Sequence, residues 1–282
     1  MKNNYGFVAP TYADDHYVLG SSNSLVKIIL CSDGQWDNYL PGREMQNIND
    51  VETYNCTSFG TCNVFETMFK KMYAKNDNFS DRFVGIEAGT KPPGNDPHIV
   101  AEAIRHKGLI SETLLPFKDI TSWMEYYSWK GGDKGQCESK GQEFLGKWIM
   151  GHEWVYQNKP QNWQDLLIES LKYSPLGISV SAWYQGQNGL YVDNGQPNNH
   201  WVCLYGYVKG QYWKVFDSYD LSTKRLAWNF NFNYCKRYGI LVNVEPQYQN
   251  ILSKLLAILK GYISILSKSI GSIIVGIYSK RN

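Results

Sequence analysis

Three side chains in this 282-residue sequence have the types and order that nucleophilic acyl chemistry needs. Cys56 stands at the expected start of an amphipathic helix, where the positive end of the helix dipole favours the thiolate, the reactive form of the side chain. His200 follows 144 residues later and opens the apolar run HWVCLYGYV, and Asp217 closes the run YWKVFD. If these two runs pair as neighbouring strands, imidazole and carboxylate meet at one end of a sheet. A thiolate would then attack a carbonyl, the imidazole would carry the proton, and the carboxylate would hold the imidazole. A cysteine at a helix start is by itself more often a buried apolar residue. The elements around it therefore have to decide.

Apolar residues recur at helical spacing over residues 56–75, with Asn55 as the expected N-cap. A loop containing Gly89, Pro92, Pro93, Gly94 and Pro97 leads to a second helix over residues 98–107 that stops at Gly108. Another helix is expected over residues 163–172, ahead of Pro175. Residues 25–31 (LVKIILC) read as a strand, with a turn at Ser32, Asp33 and Gly34. Strand-like runs crowd the second half: GISVSAWY, GLYV, HWVCLYGYV, QYWKVFDSY, AWNFNFNY and YGILVNV. Residues 118–160, rich in Gly, Trp and Lys, carry no clear pattern. Helices early and antiparallel-type strands late predict an α+β fold of two lobes rather than alternating βαβ units.

With those elements in place, the run Cys56-Thr57-Ser58-Phe59-Gly60-Thr61-Cys62-Asn63-Val64-Phe65-Glu66 resembles the nucleophile helix of papain-like cysteine peptidases, with Cys56, Phe59, Gly60 and Glu66 in register. Residues 108–117 (GLISETLLPF) resemble the family's Gly-Leu-aliphatic-Ser-Glu segment with its Tyr-Pro-Tyr ending. Ser174 to Val180 resembles its Gly-Pro-aliphatic-Ser-Val strand. Gly189-Leu190-Tyr191 precedes His200 as the family's Gly-aliphatic-Tyr precedes its histidine, and Leu204 to Tyr207 resembles its Val-Gly-Tyr strand. Asp217-Ser218-Tyr219 stands where the family has Asn-Ser-Trp. The resemblance implies a two-lobed papain-like fold, helical on the left and antiparallel β on the right, over residues 1–245. It also implies a thiol peptidase in which Cys56 is the nucleophile, His200 its ion-pair partner and proton donor, and Asp217 the orienting group. Backbone N–H groups at the helix start would hold the oxyanion. Tyr17 to Gly20, Asp33 to Trp36 and Pro92 to His98 are similar to divergent members encoded by bacteriophages.

Several positions depart from the family pattern. The oxyanion Gln lies six residues before the family's nucleophile, whereas position 50 here is Asp. Gln46 is the candidate if the intervening loop bulges outward, with Asn55 or Asn49 as substitutes. Thr57 replaces the Trp after the nucleophile, and Tyr219 replaces the Trp that shields the third member. Trp201 is the expected groove-lining aromatic, and Tyr219 the second substrate-binding candidate. Cys62 is a rival nucleophile. A zinc site at His200 and Cys203 is disfavoured because no CxxC or HExxH accompanies them, so neither metal nor cofactor is expected. His98 is assigned a solvated or capping role.

The formal charge of +2 suggests no strong polyanion binder, and no nucleic-acid partner is expected. It is the sum of unlike parts: residues 1–249 hold 23 basic and 26 acidic side chains, while five basic and no acidic ones follow. The first twenty residues contain two Asp and no continuous apolar core, so no signal peptide is expected. Six cysteines are too few for a disulfide scaffold of this length, and reduced thiols are the default. The sequons at Asn55 and Asn78 read as coincidence. Residues 246–282 form the second expected domain, an amphipathic heptad helix. Leu256, Ile263, Ile270 and Ile277 would fall at a, and Leu252, Leu259, Leu266 and Ile273 at d. Residues 252–277 thus point to a homo-oligomer or virion assembly, with membrane association and packing on the chain's own body as the other options. The alternatives to a peptidase are a catalytically impaired papain-fold binding or virion protein and a cell-wall peptide amidase using the same triad.

Overall fold

The structure is a computed structural model that describes residues 5–14, 16–19, 25–48, 50–220 and 222–243. The chain divides after Leu241. The unit that follows, Val242–Asn282, lies almost wholly outside the described residues, as do the heptad segment 252–277 and Asn49. Among the described residues no helix is long and apolar enough to cross a membrane.

Six helices and two sheets make up the described body: α1 (Cys56–Tyr73), α2 (Asp81–Glu87), α3 (Pro97–Lys107), α4 (Trp123–Tyr126), α5 (Lys134–Lys147) and α6 (Trp163–Ser170), with strands β1 (Asn47–Ile48), β2 (Val51–Glu52), β3 (Trp148–Trp154), β4 (Leu176–Val180), β5 (His200–Val208), β6 (Tyr212–Phe216), β7 (Thr223–Ala227) and β8 (Cys235–Val242). β1 and β2 form a small hairpin, and the other six strands form one sheet in the order β3-β8-β4-β5-β6-β7. β4 to β7 meander antiparallel, with Val180 opposite His200 and Phe216 opposite Cys203. The α+β prediction holds.

α1 is the spine. Every residue from Cys56 to Phe69 is buried, as a helix must be when it packs α2 and α3 on one side and β4 and β5 on the other. Several of its buried polar groups are paired: Thr67 donates to the Asn63 carbonyl at 2.6 Å, Thr61 meets the Tyr238 hydroxyl at 3.3 Å, and Glu66 accepts the Phe79 N–H at 2.7 Å. The helix ends at Ala74, whose left-handed φ of 54° lets its N–H close on the Lys70 carbonyl. α3 ends as expected at Gly108, with φ 79°.

Three expectations fail. Asn55 does not cap α1 with its side chain, because its amide donates instead to the Asp81 carbonyl and the Tyr126 hydroxyl. Residues 25–31 are not a strand. The Leu25 N–H is taken by the Glu153 carboxylate at 2.6 Å and the Leu25 carbonyl by Arg237, which itself pairs with Glu153. These side-chain partners replace a ladder and leave Val26, Ile28 and Ile29 exposed. Residues 228–234 likewise carry turns rather than a strand, and their Phe230 and Phe232 fill the core under the sheet. The segment without a clear pattern, 118–160, holds α4, α5 and β3.

Candidate active site

The packing of α1 against β5 brings two of the three chemistry-bearing residues to the interface between the helical and sheet lobes. Cys56 is the first residue of α1 and is fully buried, in a cluster with Phe7, Trp154 and Trp201. Burial pushes its thiol well above the ordinary range, and the charges of Glu52 and Asp217 act in the same direction. The backbone of Trp201, one residue past His200, hydrogen-bonds the sulfur and opposes that rise, as does the backbone of Thr57.

His200 opens β5 and Asp217 follows the last residue of β6. The antiparallel pairing of the two strands places the His200 Nε2 2.6 Å from the Asp217 Oδ1, with both side chains fully buried. With Nε2 so engaged, the other ring nitrogen, Nδ1, is buried and makes no hydrogen bond among the described residues, to Cys56 or to any other group. It is the nitrogen left for a reacting proton. Trp183 stands edge-on to the ring at 5.7 Å, Tyr219 at 6.2 Å, and Tyr5 packs across it at 5.1 Å.

The second carboxylate oxygen of Asp217 accepts from the Lys224 ammonium at 2.7 Å, and Lys224 reaches Asp220 at 2.6 Å. Lys224 is itself 1% exposed and lies 5.0 Å over the Trp183 ring. Burial alone would raise the Asp217 carboxyl, yet His200 and Lys224 outweigh it and hold it down to about 2. The pair Asp217–Lys224 is therefore close to neutral as a unit. An aspartate so compensated presents the imidazole with much the same net charge as an asparagine would.

Gln46 reaches the site because the ten-residue spacing to Cys56 is taken up by the β1–β2 hairpin, which turns through Asp50 at φ 62°. Gln46 is fully buried and its backbone N–H bonds the Ser218 carbonyl at 2.8 Å, next to Asp217. The Ser218 hydroxyl donates to its Oε1 at 3.1 Å, and its Nε2 donates to the Tyr5 carbonyl at 2.8 Å and to Glu52 at 3.2 Å. Glu52 also accepts from the Tyr219 hydroxyl at 2.9 Å.

The partner of Gln46 is this chain's own N-terminal segment. Tyr5 donates its N–H to the Asn199 carbonyl at 3.1 Å, Asn95 donates to the Gly6 carbonyl at 3.0 Å, and Val8 donates to the Asn95 carbonyl at 3.0 Å. Phe7 packs parallel on Trp201, with centroids 6.0 Å apart. Gly6 has no side chain for a steric reason: a Cβ there would sit 2.2 Å from the Tyr54 backbone. A stretch of peptide bent at Gly6 (φ 111°) thus runs between Tyr54 and Gly94, its first carbonyl on the Gln46 amide and its aromatic rings against His200 and Trp201. Trp201 is accordingly not an open groove wall but is fully buried beneath Phe7.

Of the other candidates, Cys62 is buried one and a half turns further along α1, where burial and then the Asp81 charge raise its thiol. It is not beside His200. Cys203 is a buried β5 residue, and all six cysteines are free. Lys224, Glu52, Asn199, Trp183 and Tyr5 are site residues that sequence reasoning missed. Lys224 alone left a trace, a basic residue in a strand that otherwise alternates toward the core.

No protein-family model and no curated protein sequence matches the chain. Solved structures do. The chain is similar to the digestive procathepsin L 3 of the Tenebrio molitor larval midgut, with a TM-score of 0.58 at 17% identity over 84% of this chain and 77% of that one. It is also similar to the bromelain protease of Ananas comosus in complex with the E64 inhibitor, with a TM-score of 0.52 at 17% identity over 72% of this chain and 96% of that one. At such identities the likeness speaks to architecture. The protein has the fold of papain-like cysteine proteases.

Proposed function

We propose that the protein is a thiol-dependent peptidase working through Cys56, His200 and Asp217. The observation that carries this reading is the His200 ring, clamped through Nε2 by Asp217 while its Nδ1 is buried and without a partner. A buried nitrogen without a partner is costly in a purely structural site. In this reading the Cys56 thiol gives its proton to Nδ1 and the thiolate attacks the carbonyl carbon of the scissile amide. The Cys56 N–H and the Gln46 amide stabilise the oxyanion. The imidazolium then protonates the leaving amine, and water releases the acyl group. The seating of residues 5–8 supports a peptide as substrate, because their backbone finds partners in the main chain of Asn199 and Asn95 and the side-chain amide of Gln46.

That same segment favours a second reading, a papain-fold binding protein whose site is closed. The Tyr5 carbonyl already uses the Gln46 amide, and the thiol is neutral and buried. Labelling of the folded full chain with an epoxide-type thiol inhibitor separates the two. A single adduct at Cys56, lost in His200→Ala, supports the peptidase; no adduct at Cys56 refutes it. Turnover of unfolded protein against cell-wall peptides then distinguishes a peptidase from a wall amidase. Attachment to an assembly through residues 252–277 stays part of the proposal on the heptad pattern alone. A virion setting rests on the resemblance of short motifs.

A further inference from the structure

Away from Cys56, two imidazoles and a carboxylate converge where α3 meets β3. His98 and Glu102 stand four residues apart on α3 and so share one face of the helix, and His152 projects from β3. One ligand atom from each lies within 4.8 Å of the others. All three line a cavity of about 660 Å³ whose walls include none of Cys56, His200 and Asp217.

The second layer is built as well. His16 stacks on His98 with centroids 3.6 Å apart. Its Nδ1 accepts from the Trp154 indole at 3.3 Å, so His16 is a wall of the cluster rather than a further ligand. Arg105 and His106 hold the outer oxygen of Glu102, while its Oε1 takes the Arg105 Nε–H at 3.1 Å and faces the His152 Nε2 at 2.7 Å. Lys236 lies 3.4 Å from the His98 Nδ1 and is the positive charge with which a cation would contend.

We propose that His98, Glu102 and His152 form a binding site for a zinc-like divalent transition metal, with the fourth position open to the cavity. A bare His152–Glu102 hydrogen bond gives no reason for a further imidazole, that of His98, to lie within 4.8 Å of the same carboxylate at the mouth of a cavity. Two nitrogens and one carboxylate oxygen suit zinc, whereas magnesium and calcium take oxygen ligands. Metal–ligand bonds of about 2.0–2.2 Å put neighbouring tetrahedral ligand atoms roughly 3.3 Å apart. The 2.7 Å pair must open slightly and the wider spacings close through side-chain rotation. Bound metal would cross-link α3 of the helical lobe to the outermost strand of the sheet.

The site was hidden in the sequence because its ligands come from two segments 50 residues or more apart and match no compact motif. The test uses the full chain carrying Cys56→Ala, which removes the candidate nucleophile as a competing zinc ligand. Zn²⁺ is titrated against a chromophoric chelator, and Co²⁺ is titrated with its visible absorption as readout. One equivalent with the intense bands of four-coordinate Co²⁺ is expected. Glu102→Gln, isosteric and partly exposed, should weaken binding by at least about a hundredfold, since even second-layer partners are worth 10–100-fold. His152→Gln should do the same. Arg105→Gln, which frees an oxygen of Glu102, should tighten binding several-fold, an effect that a packing role would not produce. No binding by the parent, or unchanged binding in folded Glu102→Gln, overturns the proposal and leaves a hydrogen-bonded packing cluster.

Discussion

The Asp217–Lys224 pair invites a double-mutant cycle, because each partner has a second bond that survives loss of the first. In Lys224→Met the Oδ2 of Asp217 loses its 2.7 Å donor while Oδ1 keeps His200. Removing one partner of a buried ion pair costs about 3–5 kcal/mol, and the retained His200 bond places this case near the lower figure. In Asp217→Asn, Lys224 keeps Asp220 at 2.6 Å, and the loss is that of charge-assisted hydrogen bonds, about 1.5–3 kcal/mol. The double variant leaves a neutral amide to hold the imidazole and no buried orphaned charge, since Asp220, which also loses Lys224, is half exposed to water. Its cost should fall short of the sum by about 2 kcal/mol, within the range seen for residues in contact. Urea unfolding of all four proteins measures this.

The pH dependence adds a second reading of the same pair. Asp217 sits at about 2 in the folded state against 3.8 as its ordinary value. A depressed folded value contributes stability above the unfolded value and loses it as pH falls through the folded one. Up to about 2.4 kcal/mol should therefore disappear between roughly pH 5 and pH 1. In Lys224→Met the loss should be smaller and be complete at a higher pH, its onset being set by the unchanged unfolded value. Single costs that add within about 0.5 kcal/mol, together with an unchanged acid limb, would refute the reasoning.

Three further outcomes are expected. Gly6→Ala should unseat residues 5–8, since its Cβ meets the Tyr54 backbone at 2.2 Å; alkylation of Cys56 by iodoacetamide should accelerate while the melting temperature of the body is largely kept, and an unchanged rate contradicts the closed-site description. Glu52→Gln removes a negative charge that raises the Cys56 thiol, so the pH midpoint of alkylation should move down, as a pH series of labelling rates would show. Arg82→Leu removes a buried guanidinium that donates to the carbonyls of Pro116, Glu125, Tyr126, Ser128 and Lys130; stripping these charge-assisted bonds should destabilise the chain by about 3–5 kcal/mol in chemical denaturation.

Much of this architecture could be read before any coordinates, and the reasons are local. The buried spacing of α1, the stop at Gly108 and the strand runs around His200 and Asp217 are short-range patterns, set by apolar periodicity and helix-end chemistry. Pairing of β5 with β6 follows from their closeness in the chain, so the meeting of His200 and Asp217 was accessible too. Residues 25–31 misled because apolar, β-branched composition says nothing about whether a ladder partner is free. There the Glu153–Arg237 pair took the backbone instead.

What the sequence alone determined, then, is which residues have the chemistry and which elements carry them. Only the tertiary structure decided their company. Lys224 neutralises Asp217, the hairpin over residues 47–52 delivers Gln46, residues 5–8 lie across the site, and His98, Glu102 and His152 converge from α3 and β3. Each is a contact between residues far apart in the chain or on separate elements, set by how helix and sheet pack. No short-range pattern records the charge, the hydrogen bond or the covering ring that a distant segment will supply.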